Sequence, residues 1–452
     1  MSKRILSTWT VLVVGLTLAL TVTPAFADSQ VRIVRLSNVE GTVQVDRNTG
    51  QGLEKAFPNM PIVQGMKLAT KDDGRAEVEF EDGSTVRITP KTTVEFNELA
   101  LRDSGGRVST VLLKSGMAYV NYSAKGKADE FTVMFGNEKV RAAQAVHFRL
   151  DLAADNAELA VFNGELKAEG PSGEAEVGKN KTATFNLADN DKFTVAKNVE
   201  EAPFDSWDKQ QNKYQQQYAS RASNSNYPYG YGVSDLNYYG SYSNIPGYGM
   251  MWQPYFAGVG WSPFADGAWM FYPGFGYTWV SAYPWGWMPY RYGAWTMVPG
   301  YGWMWAPGGF GNWYTVPPVT NPPNRFPTPQ PPTRGTGTVV VGHPVLTTGG
   351  PPSRVLVQNG TAGLGIPRGT VSNLGKVSHQ VQQNGFATVR TAPPSRSMGT
   401  GSGAGSSASG GSRSNSGGHT SSGGPASSGG HTSSGGRMSA PSSSSHPAPS
   451  RR

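Results

Sequence analysis

An all-β fold is expected for the first half of this 452-residue chain, on three observations. Apolar and polar residues alternate with period two through residues 65–96, GMKLATKDDGRAEVEFEDGSTVRITPKTTVEF, and only turn residues interrupt them. Short apolar runs recur from Val111 to Phe185, bounded by Gly, Asn or Asp. No long helical period precedes residue 200. The architecture expected is a β-sandwich, jelly roll or solenoid-like domain, followed by short aromatic β-hairpin repeats and a disordered tail.

Within the alternating stretch, Ala76, Val78 and Phe80 share one strand face, and Glu77, Glu79 and Glu81 share the other. After Asp82-Gly83, Val86 and Ile88 point inward and Arg87 outward. A two-residue turn would set Phe80 opposite Thr85 and mix the faces. An odd offset is therefore expected, pairing Phe80 with Val86, Val78 with Ile88 and Glu79 with Arg87. Three carboxylates on one strand face read as a solvated surface. Glycoside hydrolysis would need two acids opposed across a cleft. Further on, Leu159–Phe162, Asn163-Gly164 and Glu165–Lys167 read as a hairpin on a type I′ turn, aligning Val161 with Leu166.

Gly65, Leu68, Thr70, Gly74, Ala76, Val78, Phe80, Asp82, Gly83, Ser84, Val86, Ile88, Pro90 and Thr92 together resemble the signature of FecR-like domains. The match is specific over these residues and weaker over Val31–Val45 and Val111–Phe185. The resemblance implies an all-β periplasmic module of the kind found in regulators that relay a surface signal to a sigma factor. The chain departs from that pattern twice. Such regulators carry a cytoplasmic segment and a membrane helix before the domain, and here an export signal stands there. At Gln144-Ala-Val-His-Phe148 only Phe148 remains of the family's Gly-Thr-x-Phe string.

The export signal is Lys3-Arg4, an apolar run from Trp9 to Val22, and Ala25-Phe26-Ala27. A charged start, a short apolar stretch and an A-x-A site give a signal peptide over residues 1–27, with cleavage after Ala27. The product is expected in the periplasm, or secreted to the cell envelope, with no integral membrane anchor. The chain has no cysteine, which excludes a lipoprotein anchor, disulfides, zinc-thiolate sites and thiol catalysis. The formal net charge of +8 hides an asymmetry. Residues 28–209 hold 23 Lys/Arg against 29 Asp/Glu, and residues 210–452 hold 14 against 2, Asp235 and Asp266. Dilute positive charge on an exported chain argues against nucleic acid and reads first as a solubilising tail. Anionic glycan, lipid headgroups and the chain's own acidic domain are the other conceivable partners of that charge.

After the β domain (28–201), one helix is expected over 205–221, with Trp207, Gln211, Tyr214 and Tyr218 on a single face. Residues 222–316 form an aromatic domain that contains ten of the twelve tryptophans. It repeats: Trp261–Trp269 matches Trp287–Trp295, and Pro273–Trp279 matches Pro299–Trp305, both at an offset of 26 residues. Trp252–Tyr255 reads as a degenerate start. Trp261, Trp269, Trp287 and Trp295 carry the shared spacing and are assigned to the repeat's core. Tyr283, Trp285 and Tyr292 differ between copies and are the candidate binding platform, since flat amphipathic rings suit sugars and interfaces. The pattern W-x-P-[YF]-x-x-G-x-W resembles aromatic domains of unknown function that follow FecR-like domains in envelope proteins. Residues 317–452, Pro-rich and then Gly/Ser-rich, are expected to be disordered, with only local order over 338–390.

No nucleophile elbow, H-E-x-x-H pair or phosphate-cradling loop occurs in the ordered part. His147 is the one histidine of the β domain and reads as structural; His419 and His431, in the tail, make a poor metal site. The sequence thus predicts no enzyme, cofactor or metal. It predicts an exported envelope protein that binds or scaffolds an envelope protein or polysaccharide. The alternative is a component of a surface-signalling sensor.

Overall fold

A computed structural model describes residues 30–219, 227–311, 313–325, 328–342 and 354–391. The signal segment with its Ala27 site, residues 220–226, and the Gly/Ser tail with His419 and His431 lie outside the described residues.

The β domain is a sandwich of two sheets that share one strand. In the first sheet the order is Leu53–Lys55, Val43–Asp46, Lys67–Thr70, Thr93–Leu101, Arg107–Ser115, Glu130–Phe135, Glu138–Ala142, Glu165–Gly170 and Gly173–Gly178. In the second it is Pro61–Ile62, Val34–Glu40, Arg75–Glu79, Thr85–Ile88, Gly116–Tyr122, Val146–Leu152, Asn156–Asn163, Lys181–Asn186 and Lys192–Ala196. The strand Arg107–Tyr122 begins in the first sheet and ends in the second. Gly116 stands at the crossing with φ +81°, and a Cβ there would come 2.7 Å from the Lys91 carbonyl oxygen. A residue without a side chain lets the strand turn the corner. Aliphatic residues such as Val78, Val86, Leu113, Val120, Leu150 and Val177 fill the space between the sheets.

Two strand-level expectations change. Val78 pairs with Val86 and Ala76 with Ile88, so the register differs by two residues from Phe80 opposite Val86. The parity holds, and apolar still meets apolar. The turn keeps three residues but sits one position earlier, at Glu81–Gly83, because the Asp82 carboxylate accepts from the Ser84 amide (2.8 Å) and hydroxyl (2.7 Å), while the Phe80 amide donates to the Ser84 carbonyl (2.8 Å). The second change is larger: Asn156–Asn163 and Glu165–Gly170 do not pair with each other. The first pairs in the second sheet, and the second crosses to the first sheet. Asn163-Gly164 is therefore an arch between sheets. Val161 and Leu166 are both buried because each lines the core from its own sheet.

Helix α1, Asp205–Ala219, lies within the span expected, with Trp207, Tyr214 and Tyr218 buried and Gln211 half-buried. Helix α2, Val233–Tyr239, leads into the aromatic domain, which contains three hairpins rather than two. These are Gly240–Ile245 with Gly249–Pro254, Gly267–Tyr272 with Gly276–Ser281, and Ala294–Val298 with Gly302–Ala306. The first and third share one sheet through Trp252 opposite Trp305. Helix α3, Met288–Arg291, precedes the third hairpin.

Residues 317–391 correct the expectation of a disordered tail that begins at 317. Val319–Thr320 and Val339–Val341 extend the aromatic sheets. Arg354–Gln358 pairs with Phe386–Arg390, and helix α4, Leu374–Asn384, lies between them in sequence. Asn373 caps α4 by accepting from the Lys376 amide (3.0 Å), and Gly385 ends it in the left-handed conformation. Val357, Ile366, Leu374 and Val381 join the same core cluster as the aromatic and β domains. Few apolar residues suffice here, because they dock on an existing core.

Candidate functional site

The outer face of the strand pair Arg75–Glu79 and Thr85–Ile88 is not solvated. Glu77, Glu79 and Glu81 are 0%, 1% and 7% exposed, which overturns the reading of a solvated face. The alternation correctly separates apolar from charged residues; what it misses is that α1, α2 and the segment around Arg368 cover the charged side.

Arg87 is opposite Glu77 in the ladder, and its Nε donates to Glu77 Oε2 (2.7 Å) while its Nη1 donates to Asp208 Oδ1 of α1 (2.6 Å). Arg368 donates to Glu77 Oε1 (2.7 Å), pairs with Asp235 of α2 (3.2 Å) and lies over the Tyr214 ring at 4.5 Å. Arg35 pairs with Glu79 (3.2 Å) and with Asp235 (2.5 Å). The Gly232 amide, at the start of α2, donates to Glu79 Oε2 (3.1 Å). Asn59 accepts from Arg35 Nε (3.2 Å), and its amide donates to the carbonyls of Ser281 (3.1 Å) and Tyr283 (2.7 Å). At the rim, Asp205 accepts from Arg149 Nη1 (2.7 Å) and from the Tyr119 hydroxyl (2.7 Å). One connected network therefore joins the β domain, both helices, the aromatic domain and the C-terminal segment.

Three guanidiniums at its centre (Arg35, Arg87, Arg368) face four carboxylates (Glu77, Glu79, Asp208, Asp235). The surplus carboxylate sets the protonation pattern. Burial pushes Glu77 up, but Arg368, Arg87 and hydrogen bonds from Ser37 and Arg87 outweigh it and hold it well below the usual range. Burial pushes Glu79 up as well. Arg35 and Arg368 offset this only in part, Glu77 and Asp235 add to it, and Glu79 reaches about 7. Burial of Asp208 is outweighed by His147 and Arg87, so its pKa is lowered. His147, expected to be structural, places Nε2 2.7 Å from Asp208 Oδ2 and packs on Phe162.

Tyr283, Trp285 and Tyr292 are 0%, 0% and 3% exposed, so they cannot form the exposed platform expected. Tyr283 donates to Asp266 Oδ2 (2.9 Å) and stacks on Trp285 at 5.0 Å; Trp285 Nε1 donates to the Ala362 carbonyl (2.7 Å). Tyr292 and Tyr231 share a hydroxyl contact of 2.7 Å. The C-terminal segment covers Trp285, while Tyr283 is enclosed by Trp261 and Asp266, and Tyr292 by Tyr229, Tyr231 and Phe310. Trp261, Trp269, Trp287 and Trp295 are buried too. Gly240, Gly267 and Gly293 each lie against the Trp of their own hairpin. A Cβ would fall 2.4 Å from the Trp252 ring, 2.5 Å from Trp279 and 2.6 Å from Trp305. The motif G-x-[YW]-x3-P-G-[YF]-G-x2-W occurs three times, at 240–252, 267–279 and 293–305. Pro246-Gly-Tyr-Gly249 marks the first copy, which lacks the W-x-P string of the other two.

Arg35, Asn59, Asp235 and Arg368 were not singled out by the sequence. Asp235 had a visible signal, as one of two acids in residues 210–452, where an isolated acid invites a buried counter-charge. No group of three or more His, Cys, Asp or Glu able to hold a metal occurs among the described residues. A crevice lined by residues including Arg32, Asp82, Arg107 and Tyr122 encloses about 10 Å³, room for one water.

Residues 66–167 match the FecR protein family, and residues 233–321 match a family of unknown function, DUF6600. The chain carries both domains. Among solved structures, two crystal structures of a protein described as a putative anti-sigma factor from Parabacteroides distasonis ATCC 8503 are similar, at 16% identity and a TM-score of 0.26. The alignment covers 31% of this chain and 63% of that one, so the chain spans less than two thirds of that protein's length. No curated protein matches the sequence. The FecR match covers the strand pair at the centre of the charge network, and the DUF6600 match covers α2 and all three hairpins. Among the described residues no helix is long and apolar enough to cross a membrane.

Proposed function

We propose that this protein is a non-enzymatic, exported component of the cell envelope that binds a second macromolecule, with its FecR and DUF6600 domains fused as one scaffold. The observation that carries this reading is the interdomain network around Glu77 and Arg368. It spends the carboxylates and guanidiniums that could serve acid–base chemistry on holding segments together. Tyr283, Trp285 and Tyr292, the rings expected to stack on a sugar, are likewise spent on the core, which favours a protein partner over a polysaccharide.

In-cell crosslinking of the full-length protein in its own host, followed by mass spectrometry, tests the proposal. Capture of a defined envelope protein is the expected result. Retention only in the polysaccharide fraction would return the reading to glycan binding, and turnover of a small substrate by the purified protein would overturn it. The FecR domain over 66–167 favours one second reading, a sensor component. Crosslinks to a membrane transducer would single out that reading.

A further inference from the structure

Glu138 occupies an inward position of the first sheet, in the same row as Val140 and Ala142. It is 1% exposed. It sits opposite Gly170, where a Cβ would fall 1.6 Å from Glu138 Oε1, so the carboxylate rests against bare backbone. Its Oε2 is buried without a hydrogen-bond partner. Asp191, also 1% exposed, closes the same end of the sandwich from the turn after Lys181–Asn186, and Asn137 Nδ2 donates to its Oδ2 (3.2 Å). Among the described residues neither carboxylate has an ion pair. Lys192, next to Asp191, turns instead to Asp189 (2.8 Å). Burial and the Asp191 charge both disfavour ionisation of Glu138. Two carboxylates taken out of water without a counter-charge are costly, and such groups pair, protonate or coordinate a metal.

We propose that Glu138 and Asp191 hold a calcium ion at this end of the FecR domain. The protein donors on hand are oxygens, the free Glu138 Oε2 and the Asp191 carboxylate, and water would supply the remaining ligands. Calcium accepts six to eight oxygen ligands in loose geometry, whereas zinc would need nitrogen or sulfur that the site lacks. The ion would tie the Gly136-Asn137 turn of one sheet to the turn ending at Asp191 in the other, and so pin the two sheets together at this end.

The test is thermal unfolding of the full-length protein in calcium, in magnesium and in a chelator, alongside Glu138→Gln and Asp191→Asn. Calcium is expected to raise the midpoint of the native sequence by about 2–6 °C, with no such rise in either variant. Glu138→Gln is expected to be at least as stable as the native sequence in chelator, since it removes an uncompensated charge. No rise with either cation, or the same rise in Glu138→Gln, would overturn the site and leave Glu138 as a neutral carboxylic acid. Should a variant fail to fold, isothermal titration of the native protein still decides: one calcium per chain supports the proposal and none refutes it.

Discussion

The charged face of Arg75–Ile88 and the aromatic hairpins of 240–306 are both covered, yet they hold their covers by different physics. The charged face works through direction and number. Each guanidinium needs a particular carboxylate, so the network dictates where α1, α2 and Arg368 must lie, while its net stabilisation is small after desolvation. The aromatic face works through area, with Trp and Tyr edges set against neighbouring ring faces, as in Trp269 with Trp279 at 5.3 Å and Trp252 with Trp285 at 4.9 Å. The indole N–H groups of Trp269, Trp279, Trp287 and Trp295 have no hydrogen-bond partner, a cost that only a strongly favourable apolar packing tolerates. The aromatic region supplies stability, and the ionic region fixes which surface meets which.

The largest effect should come from breaking the network on one side. Glu77→Ala strands Arg87 and Arg368 and is expected to cost about 3–5 kcal/mol in denaturant unfolding, as unpaired buried charges do. Combining Glu77→Ala with Arg368→Ala should cost less than the sum of the two single changes. Strict additivity would show that the two residues do not act as a pair.

The aromatic side of the comparison breaks through its glycines. Gly267→Ala puts a methyl 2.5 Å from the Trp279 ring and is expected to cost about 1–3 kcal/mol by overpacking. Gly260, with nothing within 4 Å of its would-be Cβ, serves as the control, and Gly260→Ala should stay within about 0.5 kcal/mol of the native sequence.

What could be read from the sequence follows the same division. Period-two alternation gave the strands, their faces and the apolar core, because burial between two sheets leaves a local signature. It failed at Asn163-Gly164, since a turn dipeptide does not reveal whether the next strand pairs with its neighbour or crosses to the other sheet. It failed again at Glu77 and Glu79, which Asp208, Gly232, Asp235 and Arg368 cover from more than a hundred positions away. Trp285 is misplaced for the same reason, since it is covered by the segment around Ala362, whose sparse apolar residues carry no strong period; Tyr283 and Tyr292 are enclosed by other rings of the aromatic domain, which a two-copy repeat does not reveal. Long-range cover is the information a local pattern lacks.

A pH titration separates the two carboxylates opposed within the network. Glu79, raised to about 7 from 4.5, makes the native state bind a proton that the unfolded chain has released. Its contribution is present below about 4.5 and is lost as pH rises through about 7. Glu77 is lowered, so its contribution is present above about 4.5 and is lost in acid. Glu79→Gln should flatten the fall in unfolding free energy between these pH values by on the order of 1–3 kcal/mol. The acid limb set by Glu77 should remain. Glu138, also raised to about 7, titrates in the same window and is unchanged in that variant, so only the difference between the two profiles reports on Glu79. Identical profiles would mean that Glu79 is charged throughout and the surplus carboxylate lies elsewhere.

The smallest effects belong to the hairpin tips, where one motif position meets two environments. Phe275, at the second tip, packs on Trp313 at 5.0 Å between ring centroids. Tyr248 and Tyr301, its equivalents in the first and third hairpins, are 42% and 52% exposed. They stand at opposite ends of their shared sheet, because Gly249–Pro254 and Gly302–Ala306 run antiparallel and each leaves its own tip. Phe275→Ala should therefore cost about 1–2 kcal/mol, from lost area and one aromatic pair. Tyr248→Ala and Tyr301→Ala should each change stability by less than about 0.5 kcal/mol. An aromatic ring retained where it stabilises nothing is available to a partner. If the two tyrosine variants keep their stability and lose crosslinks in cells, the tips are contact points; if stability falls as much as for Phe275→Ala, the tips are part of the core after all.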